Sequence, residues 1–181
     1  MSKDMEIAQR DNPILRGKAK AIPLDDIGSP KIQGVIEKMK LAVHSQKDGI
    51  AIAAPQIGEL LQIFVVNGEL MKAADKNFKG GGADLVFINP KIVKLSKDRR
   101  EMEEGCLSVR WLYGKVKRST RASLAAYDEK GNKINRGASG LLAQIFQHEC
   151  DHLEGILFTD KAKKVWEMAP EEIEGLKNSV T

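Results

Sequence analysis

Two histidines and a glutamate carry the chemistry of this sequence. Gln147-His148-Glu149-Cys150-Asp151-His152 contains the spacing H-E-x-x-H. On a helix, residues four apart lie ~40° apart around the axis, so His148 and His152 share a face and Glu149 falls on the same side. Two imidazole nitrogens can then bind one metal ion, while the carboxylate is a general base toward water that the metal makes acidic. The plainer alternative is a polar helix face that holds these residues by coincidence. Against it, the chain has three histidines and two are here, in a segment otherwise too apolar to be a solvated face.

A helix must position this group. Ser139 is a good N-cap residue, Leu141 and Ile145 carry an apolar stripe into the motif, and Gly155 is a natural stop after Leu153. Upstream, Ser29-Pro30 starts a second helix, in which Ile32, Val35, Ile36, Met39 and Val43 recur at helical spacing for packing. His44 closes it and reads as a C-terminal residue favoured by the helix dipole. Residues 1 to 28 read as an extended, partly tethered arm without chemistry.

Segments 61–67 and 84–90 are strand-like, and Ile92 to Leu95 reads as another strand. Lys76 to Gly82 reads as a flexible hairpin tip. Its three glycines are not a phosphate loop, since no Gly-Lys-Ser/Thr follows. The charged run Lys97 to Glu101 reads as a solvated turn, and 122–128 with 133–135 as a hairpin around Glu129-Lys130-Gly131-Asn132. After the metal-motif helix, Glu171 to Lys177 reads as a polar final helix.

Two further stretches draw attention. Gly49 to Gly58 is small and apolar around one polar side chain, Gln56. It is either a tight core turn or a backbone that lies close to a ligand, with an amide able to donate to a developing oxyanion. Cys106, in Glu104-Gly105-Cys106-Leu107-Ser108, is either a small buried hydrophobe or a thiolate third ligand to join the two histidines.

Length and composition bound the rest. At 181 residues and 42% hydrophobic, the expectation is a single domain over 1–181 with its own core. Two cysteines make no disulfide framework, which favours a reducing compartment. The N-terminus has no apolar run and no stretch approaches the length that spans a bilayer, so a soluble, unexported protein without membrane contacts is expected. The net charge of +4, with 5% aromatics and no aromatic-basic interleaving, argues against specific DNA binding.

Taken together, Gly49 to Gln56, Glu104 to Ser108 and Gln147 to His152 resemble the three signature motifs of the peptide deformylases, in order and in separation. Ile88-Asn89-Pro90 and Asp151 to Gly155 add to the likeness, which runs from about Pro13 to Lys161. The resemblance implies an α+β fold, antiparallel strands surrounding a central H-E-x-x-H helix, with the N-terminal packing helix and the C-terminal helix outside. It implies hydrolysis of the formyl group from the N-terminal formylmethionine of nascent polypeptides, in a bacterial-type cytoplasm or an organelle. By motif position, Cys106, His148 and His152 bind the metal and Glu149 is the general acid/base. The Gln56 amide and the Leu107 N–H stabilise the oxyanion. The implied ion is Fe2+, with Zn2+, Ni2+ or Co2+ as substitutes. Ile50, Leu141 and Ile145 form a methionine pocket, for which plain core packing is the alternative, and backbone at Ala51 and Gly105 pairs with N-formylmethionyl peptide as an added strand. Glu104 and Arg118 match positions that pair behind the site. Cys150 reads as structural. Transient ribosome association, through Lys161, Lys163 and Lys164, is a further expectation.

Two departures stand out. Ala51 replaces the second glycine of the first motif, adding a methyl group where substrate backbone approaches and raising the question of a glycine-only backbone angle. Arg110-Trp111-Leu112-Tyr113 follows the cysteine motif where the family often has proline, which alters the cleft rim. The rivals are a zinc peptidase with Glu171, Glu172 or Glu174 as third ligand, and a binding protein of the same fold without turnover.

Overall fold

Ser29 and Pro30 open the first helix as their side chains dictate. Ser29 is extended and its Oγ accepts from the Ile32 N–H at 3.4 Å, with Pro30 in the first turn of α1 (Pro30–His44). The structure is a computed structural model and describes residues 6–178. Beyond α1 come β1 (Ala51–Ala53), a 3-10 turn (Ala54–Ile57), β2 (Ile63–Val66), α2 (Gly68–Ala74), β3 (Leu85–Leu95), β4 (Arg99–Gly105) and β5 (Leu112–Ser119). Then follow β6 (Arg121–Tyr127), β7 (Lys133–Ser139), α3 (Gly140–Leu153), the single turn α4 (Phe158–Lys161), β8 (Lys164–Glu167) and α5 (Pro170–Asn178). The strands form two antiparallel sheets, β1-β2-β3-β6-β7 and β4-β5-β8.

The larger sheet explains why Ile63-Phe64-Val65-Val66 is apolar throughout. Alternate residues of a strand point to opposite faces. Ile63 and Val65 pack with Ile32, Val35, Ile36 and Met39 of α1, whereas Phe64 and Val66 pack with Leu142, Ile145 and Phe146 of α3. Phe64, Phe87 and Phe146 form an aromatic contact set, with centroids 4.7 Å apart for Phe64–Phe87 and 5.2 Å for Phe87–Phe146. α3 is thereby central, as expected from the resemblance. The Gln147 side chain seals it to the end of β5, accepting from the Ser119 N–H and donating to the Ser119 and Ala143 carbonyls.

Several sequence expectations change. Arg99, Arg100 and Glu101 belong to β4 rather than to a solvated turn, and Ile92 to Leu95 is the outer half of β3 rather than a separate strand. α2, β5 and β8 were not anticipated, and the N-terminal arm contains 3-10 turns at Pro13–Arg16 and Leu24–Asp26. Ser139 does occupy the N-cap of α3, but its hydroxyl makes no capping bond. Gly155 terminates α3 as expected, at φ +74°, with a side chain excluded twice over: a Cβ there would lie 2.5 Å from the Arg16 carbonyl oxygen. Gly155→Ala is expected to lower stability by about 2 kcal/mol, read as a thermal midpoint ~6 °C lower. An unchanged midpoint would show that the 155 turn relaxes freely.

Candidate active site

His148 and His152 project from one face of α3, with ring centroids 4.9 Å apart. Cys106, just past the end of β4, completes the group: its Sγ is 3.2 Å from His152 Nε2, and one ligand atom from each of the three residues lies within 4.8 Å of the others. One sulfur and two nitrogens are the donors of an open catalytic zinc or iron site. Two buried polar atoms have no hydrogen-bond partner among the described residues, Glu149 Oε2 and His152 Nδ1, and both belong to this centre. The donor chemistry fits a divalent ion, and Glu149 Oε2 is left for a water beside it, whereas His152 Nδ1 lies across the ring from the Nε2 that faces Cys106.

The surrounding charges orient His148 and the residues about it. His148 Nδ1 donates to Glu104 Oε2 at 3.0 Å, which leaves its Nε2 for a metal. Arg118, itself buried, donates to Glu104 from Nε at 2.7 Å and from a terminal nitrogen at 3.0 Å, and to Asp151 at 2.6 Å. Lys161 closes the chain on the other Asp151 oxygen at 2.6 Å. Burial opposes ionisation of Glu104, but the bonds from Arg118 and His148 outweigh it and bring its carboxyl down to about 2. Burial likewise works against the Cys106 thiolate. The His152 and His148 charges reverse that and lower the thiol to about 5, so it is poised as a thiolate ligand. Glu149 goes the other way: burial raises its carboxyl despite both imidazoles, toward the range useful for carrying protons.

Gln56 is pinned at both ends. Its Oε1 accepts from the Ala53 N–H at 2.8 Å, and its Nε2 donates to Ser108 Oγ at 3.0 Å and faces Cys106 Sγ at 3.6 Å. The segment is a buried 3-10 turn, and its one amide turns its donors toward Ser108 and Cys106. Leu107 follows Cys106 directly, and its carbonyl accepts from Gln9 Nε2 at 3.1 Å.

A cleft of about 260 Å³ opens over this centre. Ile50, Ala51, Gln56, Gly105, Cys106, Leu107, Leu141, Ile145, His148 and Glu149 all line it, and His152 lies behind them at 1% exposure. Ile50, Leu141 and Ile145 also pack on the α3 side of the core, so core and pocket are one apolar surface here. Two strand edges face the cleft. Ile50 accepts from the Asn67 N–H, which makes Ile52–Val65 the next bonded pair and turns the Ala51 backbone groups away from β2. The Glu103 carbonyl accepts from Gln144 rather than from β5, so Gly105, two residues on, also turns its backbone groups outward. Asn89 is the one non-glycine residue at positive φ among the described residues. Ala51 is ordinary extended backbone, which removes the glycine-only angle as an objection.

The family model for polypeptide deformylases matches residues 4–167. The chain belongs to the polypeptide deformylase family. It is 38% identical over 156 residues to peptide deformylase 2 of Clostridium acetobutylicum, covering 86% of this chain and 93% of that one. Peptide deformylase 1B, chloroplastic/mitochondrial, of Arabidopsis thaliana is 37% identical over 175 residues, covering 95% of this chain and 59% of that one. Among solved structures, the Synechococcus elongatus deformylase in complex with actinonin superposes with TM-score 0.76 at 31% identity, over 99% of this chain and 87% of that one. The Met-Ala-Ser-bound deformylase of Acinetobacter baumannii gives TM-score 0.78 at 28% identity, over 89% and 99%.

In this deformylase the peptidase alternative loses its ligands: Glu171, Glu172 and Glu174 are exposed on α5, and the Glu172 carboxylate accepts from the Ala169 N–H. Cys150 is structural as expected, half-buried against the core with burial pushing its thiol up to about 12. Sequence reasoning assigned no role to Asp151, although its place before His152 in the motif that the sequence resembles was a visible signal for it. It also missed Ser108, whose hydroxyl takes the Gln56 amide, and the arm residues: Ala8 N–H donates to the Gln56 carbonyl at 2.8 Å. Nothing in the arm's composition pointed to that contact.

Proposed function

We propose that this hydrolase removes the formyl group from N-terminal formylmethionine with Glu149 as proton carrier, Cys106, His148 and His152 as metal ligands, and Gln56 and Leu107 as oxyanion donors. The observation that supports it best is the orphaned, buried Glu149 Oε2 beside a Cys-His-His set in one cleft. When held there, a divalent ion supplies Lewis acidity, making water a nucleophile near neutral pH and polarising the formyl oxygen. Glu149 takes the proton from the attacking water and returns it to the leaving nitrogen, so the C–N bond breaks to formate and a free amine. The Gln56 Nε2 donates to the carbonyl oxygen as its charge grows, held to that task by Ala53 and Ser108. Ile50, Leu141 and Ile145 take the methionine side chain, and the peptide adds as a strand between the Ala51 and Gly105 edges. The Met-Ala-Ser peptide held by the Acinetobacter relative supports this mode.

The working ion we propose is Fe2+, with Zn2+, Ni2+ and Co2+ suited to the same donors. The test is formate release from a formyl-Met peptide by protein loaded anaerobically with ferrous iron. Formate release confirms the activity, and its absence at one metal per chain sinks the reading. Cys106→Ser is expected to lower metal affinity at least ~10-fold, measured by competition with a chelator. Retention at full stoichiometry and affinity would return the third-ligand role to another residue.

A cytoplasmic site of action, on nascent chains, follows from the same reading, and relatives occur in bacteria and in plant organelles. No described helix is long and apolar enough to cross a membrane. Transient ribosome contact remains part of the proposal through its substrate, but the lysines offer it modest support, since Lys161 pairs with Asp151 and Lys163 with Glu101.

A further inference from the structure

The cleft has a charged side that the reaction does not use. Arg110, four residues past Cys106, forms a two-pronged pair with Asp48 at 2.5 and 2.8 Å, and also donates to Gln46 Oε1 at 3.1 Å. Its guanidinium carbon lies 4.5 Å from the centroid of the Trp111 ring. A planar guanidinium held by a carboxylate, an amide and an aromatic ring has little freedom left. The pair is also partly withdrawn from water, with side-chain exposures of 18% and 32%, and both residues line the cleft.

The two ends of this pair belong to the two opposite walls. Asp48 sits in the turn from α1 to β1, three residues before Ala51, whose backbone groups face the cleft. That turn is close-packed and internally bonded: a Cβ on Gly49 would lie 2.2 Å from the Val43 carbonyl oxygen, and the Gly49 and Ile50 N–H groups donate to the Gln46 and Asp48 carbonyls at 3.0 Å. Arg110 belongs to the opposite wall, and its neighbour Trp111 is anchored by donation from the Met168 N–H to its carbonyl at 2.9 Å. The two edges that would hold a peptide strand come from different sheets with no backbone ladder between them. A side-chain tie is what spans them at this side of the cleft.

We propose that the Arg110–Asp48 pair is a positioning brace, setting the separation of the two strand edges and through it the affinity for peptide. This rests on the deformylase reading for the identity of the peptide, and it assigns a purpose to Arg110, which stands where the family often has proline. A brace acts on binding of the extended chain more than on the bond broken at Glu149, so its removal separates KM from kcat.

The test compares the parent with Arg110→Gln, Asp48→Asn, Arg110→Lys and the reversed pair Asp48→Arg/Arg110→Asp. Formate release from formyl-Met-Ala-Ser gives kcat and KM, and calorimetric titration with Met-Ala-Ser gives Kd without turnover. Each neutralising change is expected to raise KM and Kd about fivefold with kcat within about twofold, and the reversed pair to recover most of the loss. Raising salt from about 0.05 to 0.5 M should weaken peptide binding in the parent more than in Arg110→Gln. Unchanged Kd in both neutral variants overturns the brace, as does a folded reversed pair no better than Arg110→Gln. If the reversed pair has a lowered thermal midpoint, Arg110→Lys decides: partial recovery relative to Arg110→Gln supports the brace and none overturns it. A parent that binds Met-Ala-Ser but releases no formate would refute the catalytic reading and leave the brace to be judged on Kd.

Discussion

Glu149→Ala is expected to lower kcat about 1,000-fold while the protein still binds one metal ion per chain. The size follows from what general acid–base groups contribute, about 100- to 10,000-fold, and from the demand that one carboxyl serves both halves of the reaction. Glu149 is 4% exposed and its Oε2 has no protein partner, so no neighbouring side chain stands ready to take its proton. Its carboxyl is raised chiefly by burial, and the imidazoles of His148 and His152 restrain that rise. The group therefore holds a proton more readily than a free glutamate, which favours taking one from water. Truncation leaves the proposed Cys-His-His ligands untouched, so metal content and kcat should separate. Formate release and metal content measured on the same preparation check this. A variant that keeps most of its kcat would show that another group moves the proton, and one that loses its metal would show that Glu149 is a ligand.

How far this was readable in advance differs sharply between the helix and the strands. His148, Glu149 and His152 are legible because a helix repeats every 3.6 residues, so spacing alone puts them on one face. Cys106 lies 42 residues before His148 in sequence and no periodicity connects them: thiolate chemistry left it as one of two readings, and the motif resemblance favoured the ligand. The ribbon of β4 and β5 was hidden for a physical reason. Four of the seven β4 residues are charged and exposed, so the alternation that betrays a half-buried strand is absent from Arg99-Arg100-Glu101, and in Lys115-Val116-Lys117 it rests on one apolar residue. The same ribbon carries the least readable part of the site. In register, Glu104 faces Gly114 and Arg118 faces Arg100, yet the Arg118 side chain reaches back along the ribbon to Glu104. Side-chain length, not strand pairing, makes that contact. Ala51 shows the opposite case: sequence raised a conformational objection that the extended backbone of β1 answers, leaving only the bulk of one methyl group in the cleft.

Arg118→Met is expected to have the largest effect on stability, about 3–5 kcal/mol lost in the metal-free protein, because it breaks a buried charge network at its centre. Arg118 and Glu104 have side-chain exposures of 4% and 2%, and Asp151 has 15%. Removing the guanidinium leaves the Glu104 carboxylate buried with His148 as its remaining charged partner, and leaves Asp151 with Lys161 alone. Glu104 responds by rising from its present value of about 2, since burial then outweighs what still stabilises its charge. A protonated Glu104 is a poorer acceptor for His148 Nδ1, so the ring loses the bond that fixes its orientation, and metal affinity falls about 10- to 100-fold. Stability and metal affinity should part company in a second variant. Adding Glu104→Gln to Arg118→Met removes the stranded carboxylate and is expected to restore about half of the lost stability. It does not restore the charged acceptor at His148, so metal affinity stays low. Urea denaturation of the metal-free proteins and competition with a chelator measure the two quantities independently. If metal affinity returned with stability in the double variant, the Glu104–His148 bond would be a packing contact, and the orientation of the ligand would have to come from α3 itself.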